Sequence, residues 1–212
     1  MKTIVYISRH SLTLKTKVLN ENLSSVIQNI KTPLSVKGEE NAKKLSEYIE
    51  LSSVDAVYSS NYTRAISTAK YIANKNNLNV IVDYRFGERL HGVKNDYNEL
   101  PYDFEMMQLK DENYKYGEGE SRKEVTERMR TALFDAVNTN AGKTIYITSH
   151  STAMMDLFIS FGYAKIEDGR FSIIVNDIEL LNSDFEWNTN SPELFKLDFE
   201  DDRLVNINYV KW

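Results

Sequence analysis

Cysteine is absent from the 212 residues, which excludes a disulfide framework, thiolate chemistry and cysteine-zinc sites together. Histidine is scarce: only His10, His91 and His150 occur, too few for a histidine-rich metal centre. No apolar run approaches the roughly 18 residues of a membrane span, and the start lacks the charged, apolar and small-residue order of a secretion signal. The expectation is a cytoplasmic protein without a membrane partner. Positive charge is also short, with 26 Lys and Arg against 31 Asp and Glu and a net charge of −5. That balance argues against a nucleic-acid binder, so a local arginine cluster would serve a small anionic ligand. Hydrophobic residues at 42% and charged residues at 27% describe a folded globular chain, long enough for one domain with a sizeable core.

Short runs rich in Ile, Val and Tyr occur at Thr3–Ser8, Asp55–Ser59, Asn79–Val82 and Thr144–Thr148, each of strand length. Helical periodicity lies between and after them, near Ser35–Glu50, Tyr62–Asn76, Ser121–Asn138 and Ser151–Phe161. Ser121 followed by Glu124 is the capping box of the third of these. Strands that read as continuous apolar runs are covered on both faces, which predicts an α/β fold with a largely parallel sheet. Leu194–Phe199 and Leu204–Val210 flank a polar turn, a C-terminal antiparallel hairpin that makes the sheet mixed. Tyr84–Gly119 is less periodic, and a long irregular insertion in a compact domain is more often functional than idle. Residues 84–120 are therefore expected to form a lid or substrate wall on a single domain spanning 1–212. Tyr97, Tyr102, Phe104, Met106 and Met107 within it read as packing residues rather than a ligand box.

Ligands of open α/β sheets bind beyond the carboxyl ends of the strands. Arg9 and His10 follow the first predicted strand, Arg64 opens the helix after the second, and His150 follows TIYITS. Two guanidiniums, two imidazoles and two helix N-termini at one sheet edge suit a phosphoryl group. Nearby cations disfavour protonation of a histidine, and a neutral imidazole can attack phosphorus. The arginines and the other histidine would then hold the equatorial oxygens. This chemistry calls for no metal and no cofactor. Glu88, in RFGERLHG, is the candidate acid for the leaving oxygen, provided that its carboxyl carries a proton there.

With these residues the chain resembles the histidine phosphatase superfamily, the phosphoglycerate mutase-like family, from Ile4 to about Phe161. Its opening Arg-His-Gly signature is approached by Arg9-His10-Ser11, and its Pro-Leu-Thr-x-x-Gly stretch by Pro33 to Gly38. SSNYTRAISTA, Ser59 to Ala69, matches its Ser-Ser-x-x-x-Arg-Ala-x-x-Thr-Ala motif. Glu88 with Gly92, Gly119 to Ser121, and Ser149-His150 complete the order. The resemblance implies a three-layer α/β/α sandwich and a phosphohistidine intermediate on His10. Arg9, Arg64 and His150 would complete the phosphate pocket, with Glu88 as proton donor.

Ser11 and Ser151 depart from the glycines that this resemblance leads one to expect, and each could place a hydroxyl on the phosphate. Lys17 is the first choice to replace an asparagine carried by many relatives, ahead of Lys15 and Thr16, and Arg89 could touch the substrate. His91 reads as structural, and Glu120 and Arg128 as a helix cap and an ion pair. Three functions compete: a metal-independent phosphatase acting on a small phosphorylated metabolite, a phosphoglycerate mutase, and a phospholigand-binding regulator. Mutases of the family typically carry a longer, more basic insertion than Tyr84–Gly119, which favours hydrolysis. No residue pattern fixes the oligomeric state.

Overall fold

The run KTIVYISR alternates its apolar side chains between two covered faces and forms β1 (Lys2–Arg9). The chain is described by a computed structural model over residues 1–15, 24–93, 99–167, 170–175, 178–179 and 191–212. Thr16, Lys17 and Tyr97 lie outside the described residues. After β1 come α1 (Ser25–Lys31), α2 (Val36–Ser46), β2 (Ala56–Ser59), α3 (Thr63–Lys75) and β3 (Val80–Val82). Next are α4 (Phe104–Lys110), α5 (Arg122–Thr139), β4 (Thr144–Ser149) and α6 (Ser151–Ser160). The later described elements are strands: β5 (Ala164–Glu167), β6 (Arg170–Val175), β7 (Ile178–Glu179), β8 (Leu194–Glu200) and β9 (Arg203–Val210).

The principal sheet has the order β3-β2-β4-β1-β8-β9. β3, β2, β4 and β1 run parallel, and β8 and β9 add the antiparallel hairpin at one edge. Val5, Ile7, Ala56, Tyr58, Ile145 and Ile147 face a core shared with Val125, Met129 and Leu133 of α5 and with Met154, Leu157 and Phe158 of α6. Tyr6, Val57 and Tyr146 face the other way, onto Leu45 of α2 and Ala69 and Ile72 of α3. The result is a three-layer sandwich. Burying each large aliphatic side chain contributes roughly 1.5–3 kcal/mol, and both faces of the central strands are filled.

Three features add to what the sequence patterns predict. α1 is a seven-residue helix capped by Ser24, whose hydroxyl accepts from Ile27 N. α4 lies within the irregular stretch after β3. β5, β6 and β7 form a separate antiparallel sheet. The expected capping box of α5 is present, with Ser121 and Glu124 exchanging side-chain to backbone bonds.

Gly38 carries the approach of α2 to the loop beyond β1. A Cβ there would lie 2.0 Å from Leu12 O, the carbonyl that accepts from Ser35 N at 3.0 Å. Alanine is the better helix former by about 1 kcal/mol, yet Gly38→Ala should destabilise the protein by about 1–3 kcal/mol, because backbone must yield. Urea unfolding checks the sign. A raised midpoint would show that the contact is not limiting.

Candidate active site

β1 and β4 are parallel neighbours whose register pairs Arg9 with Ser149. His10 and His150, the next residue of each strand, therefore leave the sheet side by side, with ring centroids 5.1 Å apart. His10 N donates to Ser149 O at 3.0 Å. β2 flanks β4 on its other side with Ser59 opposite Thr148, which brings Ser60 and the first turn of α3 to the same edge. Arg64, in that turn, is buried.

The hydrogen bonds fix the tautomers. His10 Nδ1 lies 2.7 Å from Ser11 O. A carbonyl only accepts, so the proton sits on Nδ1 and Nε2 keeps the lone pair. Arg64 Nη2 lies 3.3 Å from His150 Nδ1, and a guanidinium only donates. His150 Nδ1 therefore accepts, and its Nε2 donates to Ser60 Oγ at 2.8 Å. Burial first, then Arg64 and Arg9, push His10 well below the usual histidine value, against the opposing pull of the Ser11 carbonyl. Burial, His10 and Arg64 do the same to His150, with smaller contributions from Arg128 and Arg9. Both rings are neutral at physiological pH.

Arg9 remains partly exposed, and its Nη1 lies 3.7 Å from Oε1 of the fully buried Glu193, just ahead of β8. The Arg64 guanidinium lies over the Tyr62 ring at 4.6 Å, and its Nη1 donates to Asn29 O of α1. Tyr62 also packs edge-on against His150, with centroids 4.5 Å apart. Glu88 is held by the start of α6: Oε1 accepts from Ala153 N at 3.0 Å, and Oε2 accepts from Thr152 N at 3.4 Å and Ser151 Oγ at 3.5 Å. Free N–H groups at a helix start attract negative charge.

Arg9, His10, Arg64 and His150 thus share one end of the sheet, and Glu88 joins them through the helix that follows His150. Ser11 is fully buried; its N donates to Thr68 Oγ1 at 2.9 Å, and its Oγ has no hydrogen-bond partner among the described residues. Ser151 touches Glu88. Arg89 stands apart, buried beneath α4, with Nε donating to Glu120 O at 3.0 Å, Nη1 to Gln108 Oε1, and its guanidinium over Phe104. His91 packs edge-on against the same Phe104. Glu120 and Arg128 form the expected ion pair at 2.6 Å.

Sequence reasoning missed Ser60, Tyr62 and Thr68 as supports, although all three lie inside the SSNYTRAISTA match. Asn29 and Glu193 carry no sequence signal, because only the fold brings them near. Among the described residues no three His, Asp or Glu side chains are grouped to hold a metal ion. No described helix is long and apolar enough to cross a membrane.

The profile of the histidine phosphatase superfamily, branch 1, matches residues 5–177. Phosphoserine phosphatase 1 of Hydrogenobacter thermophilus is 28% identical over 131 residues, 59% of this chain and 62% of that protein's length. Among solved structures, a mycobacterial glucosyl-3-phosphoglycerate phosphatase superposes with a TM-score of 0.68 at 18% identity, covering 100% of this chain and 99% of the other. A mutant phosphoserine phosphatase of Entamoeba histolytica, in complex with phosphoserine, gives 0.66 at 18% identity over 98% and 96% of the two chains. At these identities the structural matches speak for the fold.

The buried rings lead to a pH prediction. His91 is also pushed down, by burial and then by Arg89. Each folded value lies below the unfolded value of about 6.5, so the unfolded chain takes up more protons as pH falls through that point. The stability contribution is complete above about pH 6.5 and is lost as pH falls below it toward the folded values. NMR titration of ring protons should find no histidine midpoint at or above 6.5 in the ligand-free protein. Such a midpoint on His10 or His150 would contradict the neutral pair.

Proposed function

The chain belongs to the histidine phosphatase superfamily, branch 1, and on that premise we propose that it is a phosphatase which hydrolyses a small phosphomonoester through a phosphohistidine on His10. The observation that carries this reading is the Nδ1 contact of His10 with Ser11 O, which leaves Nε2 as a lone-pair nitrogen beside two guanidiniums and a second neutral imidazole.

Arg9, Arg64 and His150 take up the nonbridging phosphoryl oxygens; Arg64 donates forks, and His150 donates from Nδ1 once the anion has drawn Arg64 away and the ring proton has moved there, with Ser60 Oγ then donating to Nε2. His10 Nε2 attacks phosphorus in line, the phosphorus to ester-oxygen bond breaks, and Glu88, which enters the step as the carboxylic acid, passes its proton to the departing alcohol. Water then attacks the phosphohistidine, Glu88 takes its proton back, and the phosphorus to nitrogen bond breaks. Orthophosphate leaves and His10 returns neutral. Nucleophile, positive charge and proton all come from side chains, so a metal is not required. The hydroxyls of Ser11 and Ser151 add to phosphate binding in this reading, and residues 84–120 act as a lid on a single domain. Water is favoured as acceptor because the relatives named above are phosphatases.

Rapid acid quench with a ³²P-labelled monoester should trap an acid-labile, base-stable adduct that His10→Ala abolishes together with turnover. EDTA should leave the rate unchanged. Full turnover by His10→Ala removes the nucleophile assignment. Glu88→Gln should cost about 10²–10⁴-fold with an alkyl ester and far less with p-nitrophenyl phosphate, whose leaving group departs without a proton. Equal losses on both esters would place Glu88 outside proton donation.

A further inference from the structure

A cavity of about 320 Å³ opens beside the phosphate-binding residues, lined by Val26 and Ile30 of α1, Asn61, Tyr62, Tyr84, Gly87, Glu88, Leu90, Glu120 and Arg128. Two of these residues tie it to the reaction centre: Glu88 reaches the start of α6, and Tyr62 packs on both His150 and Arg64. Any group bonded to a phosphoryl held by Arg64 and His150, and receiving a proton from Glu88, extends into this space.

The walls are apolar where they are free. Val26 and Ile30 lie one helical turn apart on α1, so they present one face of that helix, and Tyr84 and Leu90 stand exposed at the rim. Among the described lining residues the only cation is Arg128, and it is fully engaged. Its Nε and Nη2 donate to the Glu120 carboxylate at 2.6 and 2.9 Å, and its other bonds go to the carbonyls of Arg85, Gly87 and Glu88. A carboxylate brought in with the substrate would find no free cation among the described lining residues, because Arg128 is spent on Glu120 and on backbone carbonyls, and its desolvation would go uncompensated. A cation fares little better, because Arg64 already occupies the Tyr62 face and Glu120 is paired. An apolar group loses nothing and covers the aliphatic wall. The volume matches roughly ten waters, the bulk of a one- or two-ring alcohol.

We propose that this cavity binds the leaving group, and that it selects phosphomonoesters of an uncharged, apolar or aromatic alcohol over esters that carry a carboxylate. The assignment rests on the phosphatase reading above and names the substrate class of that same site. α1 is the decisive element. Its carbonyl at Asn29 holds Arg64, while its Val26 and Ile30 side chains form the apolar wall.

The test compares esters of primary alcohols, so that the chemistry of departure is matched: 2-phenylethyl phosphate against phosphoserine and 3-phosphoglycerate, read as orthophosphate release. kcat/KM for the phenylethyl ester should exceed both others by about tenfold or more. Ile30→Ala should raise its KM several-fold with little change in kcat, the mark of lost uniform binding. Leu90→Arg, at an exposed position, should shift the ratio toward the carboxylates. Equal or faster release from phosphoserine or 3-phosphoglycerate overturns the assignment. Absence of release from every ester, p-nitrophenyl phosphate included, overturns the phosphatase reading instead. The cavity is then judged by calorimetry with 2-phenylethylphosphonate and 3-phosphonopropionate: tighter binding of the phenyl compound upholds it, and equal or weaker binding overturns it.

Discussion

The site depends on the parallel pairing of β1 with β4 in the register that sets Arg9 opposite Ser149. That pairing delivers two imidazoles to one edge of the sheet, with ring centroids 5.1 Å apart. A slip by one residue would turn every side chain of the strand to the other face, sending Val5 and Ile7 away from α5 and α6 and parting the histidines. The hydrophobic pattern of the strand thus fixes the chemistry at its end. Once the rings are side by side and buried next to Arg64, neutrality follows from desolvation and like charge together.

The segment after β3 is held by charge rather than by apolar periodicity. Arg128 gathers the carbonyls of Arg85, Gly87 and Glu88 and the Glu120 carboxylate into one fan. Below it, Arg122 of α5 pairs with Asp156 of α6 at 2.9 Å, nearly out of solvent, and also reaches Gln108 O of α4. Burial pushes the Asp156 carboxyl up to about 6 despite Arg122 and Arg89, a sign of how much desolvation this arrangement bears. Breaking such a pair leaves a buried charge uncompensated. The same α6 that anchors Asp156 holds Glu88 by its first N–H groups, so α4, α5, α6 and Glu88 form one connected support.

Much of this was legible because it is local. The apolar runs before Arg9, Ser60 and His150 mark strands, and their ends mark the ligand edge. Gly92, the glycine of the Glu-x-x-x-Gly stretch, has φ of +87° and its Cβ position would lie 1.8 Å from Tyr116 O, so glycine there has a steric cause. α1 and α4 were not legible, since seven residues give too little periodicity to stand out from a loop. β5 and β6 flank Asp168-Gly169, a hairpin signal in the sequence that the strand reading passed over, because runs this short carry little periodicity. Glu193 lies at the far end of the chain from Arg9 and meets it only because β8 pairs antiparallel with β1. Arg89 reads from the sequence as a candidate substrate contact, since arginine is rarely buried fully; tertiary packing under α4 decides its place.

Ser11 shows why a departure from a signature need not disturb the site. Its backbone makes the contacts that matter: the carbonyl accepts from His10 Nδ1 and fixes the tautomer, and the N–H donates to Thr68 Oγ1. Thr68 in turn donates to Arg64 O, linking the loop beyond β1 to the helix that carries the guanidinium. None of these bonds depends on the side chain at position 11. A Cβ and hydroxyl are accommodated in full burial, and the Oγ finds no partner among the described residues. An unpaired buried hydroxyl is a cost of about 1–3 kcal/mol. Like Arg9 Nε, it is a buried polar atom beside His10 without a partner among the described residues, so an anion's oxygen within its reach would recover that cost on binding.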